Sequence, residues 1–173
     1  VPRIDQLLAS DDALIAQCEV DRYRASGPGG QHRNKTESAV RLRHKLTGVS
    51  AIGEDSRSQA ENKMHAVRRL RSAIALDVRE PVVLDGYRPS ARLAALVAGG
   101  TAPLGAKTRH TGEYWAAMAE ILDVLVAGGL EIAATAQRLG ITTGAMSKLL
   151  LHDETVARTV NDLRRAKGMR ALR

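Results

Sequence analysis

The stretch Arg24-Ala25-Ser26-Gly27-Pro28-Gly29-Gly30-Gln31-His32-Arg33-Asn34-Lys35 decides how the rest of this chain is read. From Ala25 to Gln31 it sets three glycines and one proline in seven positions, which excludes a helix interior and a central strand alike. It is a loop, and its neighbours show what it joins. Upstream, Glu19-Val20-Asp21-Arg22-Tyr23-Arg24 alternates as a strand, preceded by a short helix over Asp11 to Gln17 with Ser10 or Asp11 as its N-cap. Downstream, Ser38 to His44 alternates with period two, Thr47-Gly48 supplies a turn and Val49 to Ile52 alternates again, the pattern of a β-hairpin. From Ser56 to about Val78, Ala60, Met64, Val67, Leu70, Ile74 and Val78 recur every three or four residues, which predicts one long amphipathic helix. Arg57, Lys63, Arg68, Arg69 and Arg71 are placed on its opposite face.

Pro81 ends that helix. Residues 80–112, rich in proline and glycine, read as a linker able to pack on its neighbours, with one short helix from Ser90 to Val97. Helical periodicity resumes near Glu113 and runs through Ala116 to Ala127, Glu131 to Leu139, Thr142 to Leu150 and Asp153 to Lys167. The expected fold class is α+β: a small domain over 1–79 built of strand, glycine loop, β-hairpin and long helix, then the linker, then an all-α region over 113–173. Within that region Ile132 to Leu149 has a helix-turn-helix pattern. Ala136 permits a close helix crossing, Gly140 makes the turn, and Ile141, Met146 and Leu149 supply the core.

The 173 residues include no Phe, three Tyr and one Trp, so the core must be aliphatic and base stacking on an aromatic platform is excluded as a main mode of binding. Trp115 is assigned to the helical core. The single cysteine, Cys18, has no disulfide partner and reads as a small buried hydrophobe. The first residues lack a signal-peptide run and no apolar stretch reaches the roughly 20 residues that span a bilayer, so the expectation is a cytoplasmic protein without membrane contact. The net charge of +7 is unevenly spread: residues 22–79 carry +8 and residues 158–173 carry +5, while 113–157 carry −4. Two basic regions flanking an acidic one predict a polyanionic partner for the first region and the tail. The acidic helix-turn-helix region argues against reading DNA, which leaves it as a helical docking module or an RNA-contacting one.

The loop and its surroundings resemble the catalytic domain of the bacterial and organellar release-factor class, over roughly residues 15–79. The matching text is Arg24 to Lys35, then Thr36 to His44, Thr47-Gly48, Arg57-Ser58-Gln59 and Asn62-Lys63. A bare Gly-Gly-Gln is weak evidence, whereas the whole spaced string between a strand and a hairpin, followed by a basic helix, is specific. The resemblance implies hydrolysis of the peptidyl-tRNA ester on the ribosome, with Gly29, Gly30 and Gln31 as catalytic residues. Gly29 and Gly30 let the backbone approach the substrate, the backbone N–H of Gln31 donates a hydrogen bond in the transition state, and its side chain restricts access to water-sized nucleophiles. It also makes Gln31 a candidate for side-chain methylation. Arg33 departs from the family, which more often has an apolar residue there.

No metal-ligand spacing or Ser/His/Asp pattern stands out, and no cofactor or metal is expected. Residues assigned to RNA phosphate are Arg24, His32, Arg33, Asn34, Lys35, Arg41, Arg43, Arg57, Lys63 and Arg68, with Arg164, Arg165, Lys167 and Arg170 in a tail that Gly168 is expected to loosen. Decoding release factors carry additional stop-codon-reading domains for which this chain has no counterpart, so it is similar to the codon-independent, ribosome-rescue branch. The implied partners are the large-subunit peptidyl-transferase centre, peptidyl-tRNA and ribosomal RNA, approached by a monomer. The alternative is a non-catalytic ribosome- or RNA-binding regulator that uses the same domain for docking.

Overall fold

The computed structural model describes residues 2–24, 37–98 and 111–173. The chain divides into two compact units, Val1–Val78 and Arg79–Arg173.

The first unit runs α1 (Arg3–Leu8), α2 (Asp11–Ala16), β1 (Cys18–Tyr23), β2 (Ala39–His44), β3 (Ser50–Gly53) and α3 (Gln59–Asp77). The strands form an antiparallel sheet in the order β1-β2-β3, with Tyr23 opposite Ala39, Cys18 opposite His44 and Leu42 opposite Ala51. Alternation in β2 buries Val40, Leu42 and His44 and exposes Arg41 and Arg43, so one sheet face is apolar and must be covered. Helix α3 covers it. Ala66, Val67, Leu70 and Ile74 are each fully buried, and Leu7 of α1 and Leu14 of α2 join the same core.

Sheet and helix approach closely at one point. A Cβ added to Gly53 would lie 1.9 Å from the carbonyl oxygen of Asn62, a backbone atom that cannot swing aside. The helix start is built by Ser58, whose side chain caps the Glu61 N–H, as expected of a Ser-x-x-Glu sequence.

Expectations for α3 fail on both of its faces, and Ala60, counted among its apolar positions, is exposed. Arg71, assigned to the exposed basic face, is buried: its guanidinium donates to the carbonyls of Leu7 and Ala9 and pairs with Asp11 at 2.6 Å. Met64, assigned to the core, is 40% exposed. The cause is the same in both cases. Helices α1 and α2 pack on α3 and widen its buried arc around Arg71, and they do not cover Met64. Helix α1 itself had no sequence signature, since Pro2 offers no capping side chain and six residues are too few to be helical on propensity alone. It is held by burial of Leu7 and by Arg3, which donates to the Val78 carbonyl.

The second unit contains α4 (Ala91–Ala98), α5 (Gly112–Ala127), α6 (Ile132–Arg138), α7 (Thr143–Leu151) and α8 (Glu154–Ala166). Helix α5 is its axis: Tyr114 to Ala119 and Ile121 to Leu125 are all buried. Trp115 lies in this core as expected, edge-on to Tyr114 with ring centroids 4.9 Å apart. Residues 80–98 belong to the same unit and are fastened to it. Glu120 accepts hydrogen bonds from the Tyr87 hydroxyl and from the backbone and side chain of Ser90, while buried Asp123 receives Arg79 and the Glu80 N–H. The helix-turn-helix is present as α6, a turn at Gly140 with φ +70°, and α7 capped by Thr142. Its core uses Ala136, Met146 and Leu150; Leu149 and Ile141 are only half-buried, because the buried side of α7 follows the i, i+4 pair 146/150.

Stability should respond to two substitutions in the first unit. Gly53→Ala should lower the unfolding free energy by about 2 kcal/mol or more, as overpacking against backbone does, measured by chemical denaturation of the full chain. His44 is fully buried between Thr47 and Gln17, and burial holds its pKa below the ordinary 6.5. The unfolded chain therefore binds the proton more readily, so this contribution is complete above pH 6.5 and is lost as pH falls below it. Removing the imidazole in His44→Gln should flatten the melting temperature between pH 7 and 5.

Candidate functional site

The register of β1 and β2 closes at Tyr23 and Ala39, so residues 24–38 are the connection between two neighbouring strands. Gly29, Gly30, Gln31, His32, Arg33, Asn34 and Lys35 all belong to this connection and lie outside the described residues. Arg24 continues from β1 and is exposed.

The far end of the connection is held by α3. Gln59 Nε2 donates to the Glu37 carbonyl at 2.7 Å, and Asn62 Nδ2 donates to the Ser38 carbonyl at 2.7 Å. Asn62 is fully buried, and its amide also donates to the Ser56 carbonyl at 2.8 Å and accepts from the Ser56 N–H at 2.9 Å. At the near end the Tyr23 hydroxyl is hydrogen-bonded by Glu54; burial first, and that carboxylate second, raise its pKa above the ordinary value.

The cationic residues assigned to RNA fall into separate groups. Arg41 and Arg43 stand on the exposed face of the sheet directly opposite Asp21 and Glu19, and each forms an ion pair with the acid across from it. With Ser50 these four line a shallow concavity of about 500 Å³. Its charges cancel, so it is a poorer phosphate surface than the sequence of β2 suggested. Arg57, which precedes α3, and Arg68 on the helix are exposed and Lys63 is half-buried, without an acidic partner among the described residues. Arg69, by contrast, donates to the Ile52 carbonyl and pairs with Asp55, whose pKa it lowers chiefly through that hydrogen bond.

In the second unit the expected loose tail is folded. Gly168, at φ +70°, ends α8 with its N–H donating to the Arg165 carbonyl and the Met169 N–H donating to the Arg164 carbonyl, a Schellman closure. Asn161 then brackets Leu172, accepting its N–H at 2.7 Å and donating to its carbonyl. Arg164 is spent on structure, donating to the carbonyls of Leu130 and Arg170 at 2.6 and 2.8 Å. Arg165 pairs with Asp162, whereas Lys167, Arg170 and Arg173 remain exposed. Sequence reading missed the clamps made by Gln59, Asn62 and Asn161. Gln59 and Asn62 both belong to the spaced string that carries the family resemblance, which was the available signal for them; nothing local distinguishes Asn161.

Cys18 is buried, its thiol reaching the Leu14 carbonyl at 3.2 Å, and burial raises its pKa. Among the described residues no group of His, Cys, Asp and Glu could hold a metal ion, and no helix is long and apolar enough to cross a membrane.

Comparison with known proteins bears on the first unit. Residues 14–82 match the RF-1 domain family. The chain is 47% identical over 79 residues to peptide chain release factor 1 of Geobacter metallireducens, covering 44% of this chain and 20% of that one. It is 52% identical over 69 residues to peptide chain release factor 2 of Buchnera aphidicola subsp. Baizongia pistaciae, covering 37% and 19%. The chain thus spans about a fifth of the length of the curated relatives it matches. The match to the RF-1 domain thus falls on the same residues that form the strand pair, the Gly29-Gly30-Gln31 connection between its strands and the helix that holds the end of that connection.

Proposed function

We propose that this protein hydrolyses the ester of peptidyl-tRNA on the ribosome and does so without reading a codon. The observation that carries the reading is the family match over residues 14–82 with Gly29, Gly30 and Gln31 unsubstituted in the β1–β2 connection. In the reaction a water oxygen attacks the ester carbonyl, the acyl–oxygen bond to the terminal ribose breaks, and the ribose hydroxyl leaves with a proton. The peptide is released as a carboxylic acid. Gln31 supplies its backbone N–H to the developing oxyanion, an interaction worth about 2.7–4 kcal/mol in other acyl-transfer sites. Its side chain limits the nucleophile to water, and a methyl group on that amide would add to the same barrier.

Codon independence rests on the resemblance to the rescue branch, and the chain beyond the matched segment supplies the surface we assign to RNA. From Arg79 it enters a helical unit of its own, which ends in a basic surface fixed by hydrogen bonds. We assign that surface, with Lys167, Arg170 and Arg173 as its exposed cations, to ribosomal RNA phosphate, together with Arg24, Arg57, Lys63 and Arg68 of the first unit. The acting species is a cytoplasmic monomer whose partners are the peptidyl-transferase centre, peptidyl-tRNA and ribosomal RNA.

The test is release of labelled peptide from ribosomes stalled on a message lacking a stop codon. The intact protein should release it, and Gly30→Ala and Gln31→Pro should each slow release by about 10²-fold or more while still binding ribosomes. Bound but inactive intact protein would establish a docking regulator instead. Replacing Lys167, Arg170 and Arg173 by Gln should weaken ribosome binding and flatten its dependence on salt, by roughly 0.7–0.9 in logarithmic slope for each phosphate no longer neutralised.

A further inference from the structure

We propose that the open face of the sheet is a site for the ribose-phosphate backbone of RNA, in which Arg41 and Arg43 donate to phosphate oxygens and Asp21 and Glu19 accept hydrogen bonds from ribose 2′-hydroxyls. This deepens the reading of ribosomal RNA as the partner of this protein and rests on it.

The geometry is a two-by-two lattice of charge. β1 and β2 pair with Glu19 opposite Arg43 and Asp21 opposite Arg41, so the acids form one column and the arginines the next. Neighbouring strands lie about 4.8 Å apart, and residues two apart on one strand about 6.7 Å. All four side chains are at least half exposed, on the face away from α3, and with Ser50 they line one concavity of about 500 Å³. The internal pairing is light. Arg41 donates one hydrogen bond to Asp21, and Arg43 stands 3.8 Å from Glu19, an ion pair beyond hydrogen-bond distance. A guanidinium has five N–H donors and a carboxylate about four acceptor directions, so both columns keep most of their capacity toward solvent.

A bare polyanion gains little on such a face, because each guanidinium comes with a carboxylate that repels phosphate. A chain that alternates phosphates with hydroxyl donors gains from both columns. RNA is such a chain, and its 2′-hydroxyl is what separates it from DNA. A carboxylate plays the same part toward the ribose of bound dinucleotides. Laid along the β1–β2 seam, RNA sets phosphates over the arginines and sugars over the acids. DNA in the same place keeps the repulsion and lacks the donors. A purely basic patch attracts both polymers through their phosphates, whereas this face discriminates between them.

The experiment uses the full chain and labelled single strands of one sequence, made as RNA, as DNA and as 2′-O-methyl RNA, which keeps the ribose oxygen but has no proton to donate. Dissociation constants are measured by fluorescence anisotropy across a range of salt, beside thermal unfolding. The intact protein should bind RNA about ten-fold more tightly than either other strand, the worth of one hydrogen bond to a charged group. Glu19→Ala combined with Asp21→Ala should bring the three affinities together, chiefly by strengthening the DNA and 2′-O-methyl complexes. Arg41→Gln combined with Arg43→Gln should weaken all three and flatten the salt dependence by roughly 0.7 in logarithmic slope for each phosphate lost. An equal gain for all three strands in the acid variant overturns the proposal, because the acids then only repel. An intact protein without preference overturns it too, as does an arginine variant that binds unchanged. If the acid variant does not fold, the preference of the intact protein and the arginine variant still decide. Peptide release from stalled ribosomes without any RNA preference would remove this site and leave the hydrolase reading; the preference in a protein that releases no peptide would do the reverse.

Discussion

The first unit depends on one close approach, the passage of β3 across the start of α3 where Gly53 faces the backbone of Asn62 with no room for a side chain. That approach lets a helix carboxamide reach past the sheet edge to the carbonyl of Ser38 and around to both backbone groups of Ser56. The Ser38 carbonyl would otherwise be buried without a partner, which is costly, and the Ser56 groups are only partly open to water. Helix, hairpin and the end of the β1–β2 connection are thereby located by a single side chain.

Charge is used in two distinct ways. On the sheet, Arg41 and Arg43 are answered across the strands by Asp21 and Glu19, and Arg71 is buried among carbonyls beside Asp11. Arg164 is likewise committed to carbonyls. These guanidiniums serve the fold: five donors on a rigid plane satisfy several acceptors at once. Arg57, Lys63 and Arg68 in one unit and Lys167, Arg170 and Arg173 in the other are among the cations with no acidic partner among the described residues, and so are available to a polyanion. A net charge of +7 therefore overstates one surface and understates how selectively it is laid out.

In the second unit the same economy governs α5, which is buried along nearly its whole length yet carries Glu120 and Asp123. Both carboxylates face segment 79–90, and their hydrogen bonds to Arg79, Glu80, Tyr87 and Ser90 tie that segment down. What composition marks as a linker able to pack on its neighbours is held, over residues 80–90, by hydrogen bonds to half-buried Glu120 and buried Asp123.

Local sequence alone determined the order of elements in the first unit from α2 onward, the position of the Gly-Gly-Gln connection between two strands, the helix-turn-helix and the aliphatic character of both cores. These arise from periodicity, capping and glycine or proline placement, which act over a few residues and need no partner. The tertiary structure alone decided that Arg71 and Arg164 face inward, that Met64 faces outward, that α1 exists, that the chain beyond Gly168 folds back onto Asn161, and that Gln59 and Asn62 hold the connection. Each joins atoms far apart in the chain or closes a turn whose outcome depends on a distant acceptor. A periodic pattern says which side of a helix is apolar; it does not say how much of that side a neighbouring helix will cover.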